Sequence, residues 1–199
     1  MKKINLTLLF IVLTISCKAQ SPVFDIEDHN NRVPEIQGFY IKDTSDQLNA
    51  YEGTYVYTDG NTLLKIVLEK RTMYQLYAVP GIRYDDLIIG EYQYIKNGVE
   101  IINTLYKLAN QNRHSIKANR ILIGKELGCN TCAPSEKRLA GGIVDETTHN
   151  SGDIQIRRVT VNSQAAIEIW IGWRMRTYKE GTPKPAQPYF GSYITLVKQ

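Results

Sequence analysis

The chain has 199 residues, a length that favours one domain with a substantial core. Its formal net charge is +4, and subtracting the two lysines Lys2 and Lys3 of the N-terminal segment leaves +2. A domain this close to neutral lacks the positive charge excess that nucleic-acid binding requires, so we exclude nucleic acid as a partner.

The first predicted element is an export signal at residues 1–19. Its apolar run, residues 4–15, would rise only about 18 Å as a helix, too short for a hydrocarbon core of about 30 Å. Cleavage before Cys17, at a lipobox formed by residues 14–17, would create a lipoprotein of the outer membrane, periplasm or cell surface. Cleavage before Gln20 would instead secrete a soluble protein.

The next segment, residues 20–37, is polar, contains Pro22 and Pro34 and shows only a weak pattern. We interpret it as a tether or poorly ordered arm, which suits a lipid-anchored protein. From residue 38 onward apolar residues alternate with a period of two, so residues 38–199 are predicted to form a single β domain. A short turn is expected at residues 43–53, before the first strand.

Three hairpins are the clearest structural signals in the sequence. Their predicted turns are Asp59-Gly60, Asn97-Gly98 and Asn162-Ser163. Nine or ten strands follow from the same alternation, at about residues 51–58, 62–70, 72–79, 86–96, 99–107, 119–127, 139–145, 153–161, 164–178 and 192–198. Because a long antiparallel meander removes its exposed edges by closing, we expect an up-and-down, lipocalin-like barrel of 8–10 strands, with a β-sandwich as the alternative.

Alternation also assigns faces to the strand at residues 164–178. Ile167, Ile169 and Ile171 point to one wholly apolar face, which must be core, and Glu168 and Trp170 point to the other. On the preceding strand the parity of the apolar residues changes at residues 157–158, which predicts a β-bulge there.

Several segments resemble known families. The run AYEGTYVYTDGNTLLKIVLEK resembles the opening of lipocalin-like barrels, with Gly53-Thr54-Tyr55 in the place of Gly-x-Trp. The segments YEGTYVY, DDLIIGEYQYIKNG, CNTC, GDIQIRR and YITLVKQ resemble an uncharacterised family of exported Bacteroidota proteins of this size. That resemblance implies export and a β architecture, and it supplies no catalytic residues.

Cys129 and Cys132, in the sequence GCNTCAP, are a second pattern with chemical meaning. In an oxidising compartment such a pair is first a disulfide. Free thiols, a redox pair and a zinc site completed by His114 and His149 remain open, although the redox interpretation lacks a surrounding βαβ unit and the zinc spacing matches no standard finger.

A stripe on the polar face of one strand predicts a ligand site. Trp170 follows Glu168 by two residues and Arg174 follows Trp170 by four, so all three share one strand face, where an aromatic ring could stack on a ligand while the arginine pairs with an anion. Tyr55 and Tyr57 share one strand face and could line an aromatic cavity. The same residues could equally be a solvated strand face and core packing.

Catalysis is the weaker interpretation of the carboxylates. Glu168 or the pair Asp85-Asp86 could act as general acid or base in an envelope hydrolase or lyase. No nucleophile signature, phosphate loop or metalloprotease motif accompanies them, and we expect no cofactor. The sequence therefore favours an exported, lipid-anchored, non-catalytic protein that binds a small apolar or amphipathic ligand or a partner protein. The alternative is a structural protein with a filled core.

Overall fold

The computed structural model describes residues 22–28, 38–78, 81–145, 148, 150–174 and 191–199. Within these ranges eleven strands form one sheet. They are β1 Val23–Asp25, β2 Tyr40–Lys42, β3 Gly53–Asp59, β4 Thr62–Ala78, β5 Gly81–Lys96, β6 Val99–Asn103, β7 Ile116–Ile123, β8 Lys137–Asp145, β9 Asn150–Val161, β10 Gln164–Arg174 and β11 Tyr193–Lys198.

Eight of these strands close into an antiparallel barrel, in the order β5-β4-β3-β11-β10-β9-β8-β7. Closure occurs where β7 pairs with β5, over Ile88–Gly90 opposite Ile116–Ala118. Gly90 allows the wall to tighten at this seam, because a Cβ atom there would lie 2.6 Å from the side chain of Leu68. The all-β barrel predicted from alternation is confirmed.

Inward-pointing side chains fill the barrel. Ile167, Ile169 and Ile171 of β10 expose 1% or less of their surface, as the face assignment predicted. Across the barrel they meet buried side chains of β4 and β5, such as Leu64 and Tyr92, in one apolar cluster. Each such isoleucine stabilises the fold by roughly 1.5–3 kcal/mol relative to its exposed state, so the interior is the main source of stability.

The β4–β5 hairpin extends beyond the barrel as an arm. Its strands have 17 and 16 residues, and β2 adds to β5 in parallel at Tyr84 and Asp85, followed by β1. The arm therefore carries residues 23–25, within the segment expected to be a tether. The adjacent Ile26 is completely buried in the main apolar cluster, which explains why this stretch takes an ordered place.

The arm also corrects one strand boundary. Residues 62–70 and 72–79 were expected as two strands, but Thr62–Ala78 is one strand with a register shift between Arg71 and Tyr74. Met73 adopts a positive φ of 49° within this bulge, and its backbone N–H donates to Asp86. The Asp86 side chain thus stabilises a β-bulge at the place where the sequence predicted a break between two strands.

The bulge expected at residues 157–158 is wrong. The β9–β10 register runs without interruption from Gln164 opposite Val161 to Arg174 opposite Ser151. Arg158 keeps the inward parity at the end of the barrel, with its guanidinium carbon 5.4 Å from the centre of the Tyr51 ring. The apolar residues of β9 change from even to odd positions where the strand extends past the end of the core.

Two of the three predicted turns are confirmed as residue pairs with positive φ, at Asn97-Gly98 and Asn162-Ser163. The first turn is displaced by one residue. Asp59 pairs with Thr62, so the turn consists of residues 60 and 61, with a φ of 52° at Gly60.

The helical segments of the described ranges are short 3₁₀ turns rather than α-helices. They are Gln47–Tyr51, within the turn expected before the first strand, Leu105–Ala109 and Glu126–Gly128. None of the helical segments in the described part of the chain has the length and hydrophobicity needed to cross a membrane.

Candidate functional site

The candidate site, here called the wall pocket, is an open cavity of about 310 Å³ on the outer face of strands β8–β11. Loop residues 127–131, which precede β8, form one side. The strands contribute Arg138, Gln155, Arg157, Glu168, Trp170 and Tyr193. Register brings these side chains together: Glu168 lies opposite Arg157, and Trp170 lies between Gln155 and Tyr193.

Two neighbouring aromatic residues remain accessible in the wall pocket. Trp170 exposes 45% of its surface and Tyr193 exposes 61%. The six-membered ring of the indole lies over Gly172, where a Cβ atom would approach it to 2.8 Å. A glycine at this position therefore lets the indole lie close to the sheet while part of it stays open to solvent.

An ion-pair network lies beside the aromatic residues. Arg157 donates through Nε and Nη2 to both carboxylate oxygens of Glu136, at 2.5 and 3.0 Å, and its Nη1 is 3.5 Å from Glu168. These hydrogen bonds hold the pKa of Glu136 below its usual value and raise that of Arg157. Burial raises the pKa of Tyr193, and the hydrogen bond of its hydroxyl with Glu168 adds to that increase.

Arg138 fastens the loop side of the wall pocket to the barrel. Its Nη2 donates to the carbonyl oxygens of Gly124 and Glu126, at 3.1 and 2.5 Å, and its Nη1 donates to Gln155. Arg138 exposes only 3% of its surface, and burial lowers the pKa of its guanidinium.

The CNTC sequence forms the outer rim of the loop. The sulfur atoms of Cys129 and Cys132 are at disulfide distance, as predicted, and residue 129 lines the wall pocket. Leu127 and Gly128 enter the rim with positive φ values of 48° and 82°. The short covalent loop and these two residues fix the shape of that side of the cavity.

The structure brings together only part of the predicted ligand site. Glu168 and Trp170 both line the wall pocket, whereas Arg174 lies outside it in an exposed pair with Asp153. Tyr55 is inside the barrel with 2% of its surface exposed, and its hydroxyl donates to the Tyr51 carbonyl at 3.0 Å. The phenol of Tyr51 is buried too, which raises its pKa to about 12.

Tyr57 lies at a different opening, at one end of the barrel. With Tyr94 it lines a cavity of about 450 Å³ between β3 and β11, whose pairing is limited to Val197 opposite Val56 and Lys198 opposite Tyr55. The two tyrosines proposed as ligand residues are therefore separated, one in the core and one at the barrel end.

The alternative catalytic pair Asp85-Asp86 belongs to a second group of polar residues, here called the junction cluster, where the arm meets the barrel. Its members are Tyr40, Asp43, Lys70, Asp85 and Asp86. Asp86 accepts hydrogen bonds from the Tyr40 hydroxyl at 2.6 Å and from the backbone N–H groups of Met73 and Asp43, both at 3.0 Å. Burial, with the negative charge of Asp86, raises the pKa of Tyr40.

The remaining acids of the junction cluster are equally enclosed. Asp43 caps the Gln47–Tyr51 segment, accepting from the N–H of its first two residues at 2.8 and 2.9 Å, and it pairs with Lys70 at 2.9 Å. Asp85 accepts from Arg83 at 3.0 Å and Asn119 at 2.5 Å. Asp43 thus holds the Gln47–Tyr51 segment beside β4, and Asp85 links side chains of β5 and β7.

His114, considered as a zinc ligand, lies against the outer face of β5, whereas Cys129 lies at the wall pocket on β8–β11. Its Nδ1 is 3.2 Å from the buried Glu91, which also accepts from the N–H and hydroxyl of Ser115. Burial lowers the pKa of His114, and Glu91 opposes that effect. No group of three potential metal ligands occurs among the residues that the structure describes.

Cys17 and His149 lie outside the described residues. Among the strand residues of the wall pocket, sequence reasoning missed four, namely Arg138, Gln155, Arg157 and Tyr193. Their outward parity could be read from their own strands, but only the pairing of β8, β9 and β11 with β10 shows that they share a site.

The model of a family described as a family of unknown function, DUF6705, matches residues 1–184. Comparison with curated proteins gives no significant match, and comparison with solved structures gives none either.

Proposed function

This chain belongs to the DUF6705 family of unknown function, and we propose that it is an exported, non-catalytic binding protein. Its wall pocket would hold a small ligand that has one apolar face and several hydroxyl groups. The observation that carries the proposal is the pair of accessible aromatic side chains, Trp170 and Tyr193, beside the hydrogen-bonding groups of the pocket.

The aromatic pair supplies the apolar half of such a site. Scattered exposed hydrophobic residues are normal, but two large aromatic residues next to each other in a concave site mark an interaction surface. Aromatic rings bury much area at low conformational cost, and Gln155 and Tyr193 flank Trp170 on the neighbouring strands. A ligand with a flat apolar face would cover the open part of the indole.

The polar half of the site comes from Gln155, Thr131 and Glu168. The side chains of residues 131 and 155 can both donate and accept, and the carboxylate of Glu168 can accept several hydrogen bonds. A sugar ring has an apolar face of C–H groups and a rim of hydroxyl groups, so saccharides fit both halves of this lining.

We place the ligand on the outer wall rather than inside the barrel. The inward side chains of β4, β5, β9 and β10 form one buried apolar cluster, with Leu64, Ile88 and Ile156 completely buried. Small barrels fill with side chains in this way, whereas ligand-holding barrels keep a central cavity.

A binding role suits the carboxylates better than catalysis does. Glu168 lies 3.5 Å from Arg157 at the border of the open cavity, where its carboxylate can accept hydrogen bonds from a ligand. Asp85 and Asp86 are each 2% exposed or less and are engaged in structural hydrogen bonds. An acid or base that attacks a substrate would need to reach it.

We further propose that residues 1–19 export the chain and that Cys17 carries a lipid anchor. Support comes from the short apolar run after Lys2 and Lys3 and from the small residue before Cys17. Metabolic labelling with an acyl probe in the native host tests the anchor directly. Label on the wild type that disappears in Cys17→Ala supports lipidation, and an unlabelled, exported wild type contradicts it.

The binding proposal is tested on a glycan array carrying neutral and acidic saccharides. We expect the full mature chain to bind a subset of them and Trp170→Ala to lose at least about tenfold in affinity, equal to about 1.4 kcal/mol. Tyr106→Ala is the matched control, since this tyrosine is 71% exposed on the Leu105–Ala109 segment. Absence of binding to every glycan, or equal binding by Trp170→Ala, contradicts the proposal.

A further inference from the structure

We infer that the ligand of the wall pocket carries a carboxylate that binds beside Arg138, and that its class is an acidic saccharide such as a uronic acid. The inference rests on the proposed function, because it names the chemistry of the ligand at the same site. It starts from a difference in the hydrogen-bond partners of the two arginines that line the pocket.

Arg157 already has carboxylate partners. It makes two hydrogen bonds to Glu136 and lies 3.5 Å from Glu168, so its charge is compensated within the protein. A further anion beside Arg157 would gain little, because it would have to compete with two carboxylates.

Arg138 differs in every one of its contacts. Its hydrogen bonds go to neutral acceptors, the amide oxygen of Gln155 and the carbonyl oxygens of Gly124 and Glu126. Its Nε has no hydrogen-bond partner among the described residues, although the atom is buried. No carboxylate oxygen of the described residues lies within 4 Å of its guanidinium, so the negative charges of Glu136 and Glu126 act on Arg138 only from beyond ion-pair distance.

A buried cation without a counter-ion at ion-pair distance is energetically expensive, and the cost falls when an anion binds next to it in a site of low polarity. Burial lowers the pKa of the Arg138 guanidinium, and the charge of Glu136, which acts to raise it, is opposed by the positive charge of Arg157. The arginine side of the pocket thus keeps a buried donor, the Nε of Arg138, without a partner among the described residues, and a carboxylate of the ligand suits that donor.

The position of Arg138 relative to the aromatic pair defines the shape of the ligand. Gln155 is the cross-strand neighbour of Trp170 and also the partner of Arg138, so it lies between them. Strands β8 and β10 are two strand spacings apart, about 10 Å. A pyranose ring stacked on the indole, with its carboxylate directed across Gln155, spans this distance, while Glu168 stays on the far side to accept hydroxyl hydrogen bonds.

The test compares two probes that differ only in charge, methyl β-D-glucuronide and its uncharged amide. Trp170 and Trp173 are the only tryptophans, so the indole N–H signals in a ¹H–¹⁵N spectrum are assigned from Trp173→Phe. We expect both probes to shift the Trp170 signal and the glucuronide to bind at least about tenfold more tightly, with Arg138→Gln abolishing that difference.

The outcomes separate the inference from the proposed function. Equal affinities of the two probes for the wild type overturn the inference and leave saccharide binding intact. A Trp170 signal that neither probe shifts contradicts both. A shift by benzoate as strong as that by the glucuronide overturns the saccharide class. Arg138→Lys, which keeps the charge, should retain part of the preference if the loop remains folded. Loss of the preference in Arg138→Lys with an unchanged loop spectrum argues against a role for the charge.

Discussion

The junction cluster and the wall pocket both contain carboxylates, yet they differ in how those carboxylates are used. Asp86 is buried and accepts three hydrogen bonds from the arm and β2 region. Glu168 is partly exposed, pairs at 3.5 Å with Arg157 and borders an open cavity. A carboxylate group thus fixes backbone in one place and borders a ligand-sized space in the other, and burial distinguishes the two roles.

The largest expected effect concerns the enclosed acid. Asp86→Ala leaves three donors unsatisfied, two of them backbone N–H groups at the bulge and at Asp43, so the free energy of unfolding should fall by about 3 kcal/mol. Glu168→Ala, which breaks a partly exposed ion pair with Arg157 and a hydrogen bond from the exposed Tyr193, should cost less than about 1 kcal/mol, because both contacts face solvent. Urea unfolding of both variants measures the difference. Equal losses of stability would remove the distinction between the two regions.

The next effect concerns the covalent loop on the rim of the wall pocket. Cys129→Ser opens a loop of four residues, for which chain entropy predicts a loss of about 2 kcal/mol. Because the loop lines the pocket, glucuronide affinity should fall too, whereas the hydrogen bonds of the junction cluster should keep their exchange protection. Hydrogen exchange at Met73 is the readout, and loss of protection there would show that the two regions are coupled.

A smaller effect isolates the position of the indole. Gly172→Ala places a methyl group where the Trp170 ring lies, so the ring must move away from the sheet. We expect about a tenfold loss of glucuronide affinity and greater acrylamide quenching of Trp170, with little change in urea unfolding. Gly142→Ala is the control, since a Cβ atom there meets nothing closer than 3.8 Å. Unchanged quenching in Gly172→Ala would contradict the described ring position.

The smallest effect is a pH dependence that belongs to the wall pocket. The pKa of Glu136 is lowered from its ordinary value of 4.5 by Arg157, so the pair contributes stability above pH 4.5. That contribution is lost as the pH falls through the lowered pKa of the folded protein. Glu136→Gln should therefore reduce stability by at most about 1 kcal/mol at pH 7 and by less at lower pH. A constant difference between variant and wild type from pH 7 to pH 3 would argue against the pair.

Alternation along single strands predicted the barrel and two residues of the candidate site. The outward parity of Glu168 and Trp170 followed from β10 alone, because the opposite face carries Ile167, Ile169 and Ile171. The alternation of inward and outward residues along β10 could not show that Arg174 lies outside the wall pocket. Its pairing with Asp153, a residue of the neighbouring strand, depends on register.

The rest of the site depends on contacts between distant parts of the chain. Tyr193 reaches Trp170 only because β11 pairs with β10 after the intervening segment, and Arg138 arrives from β8 through a hydrogen bond to Gln155. Tyr55 is a residue whose position the pattern of its own strand leaves undecided. Its sequence pattern fits either a cavity lining or a core position, and burial against Tyr51 decides for the core.

The early strand β1 has a consequence for orientation in the envelope. If Cys17 carries a lipid, only the chain up to Val23 separates the acyl groups from the sheet, a reach of about 20 Å when fully extended. The arm would then stand next to the bilayer and set the height of the barrel above it. Inserting residues into this spacer should raise the barrel without altering its fold.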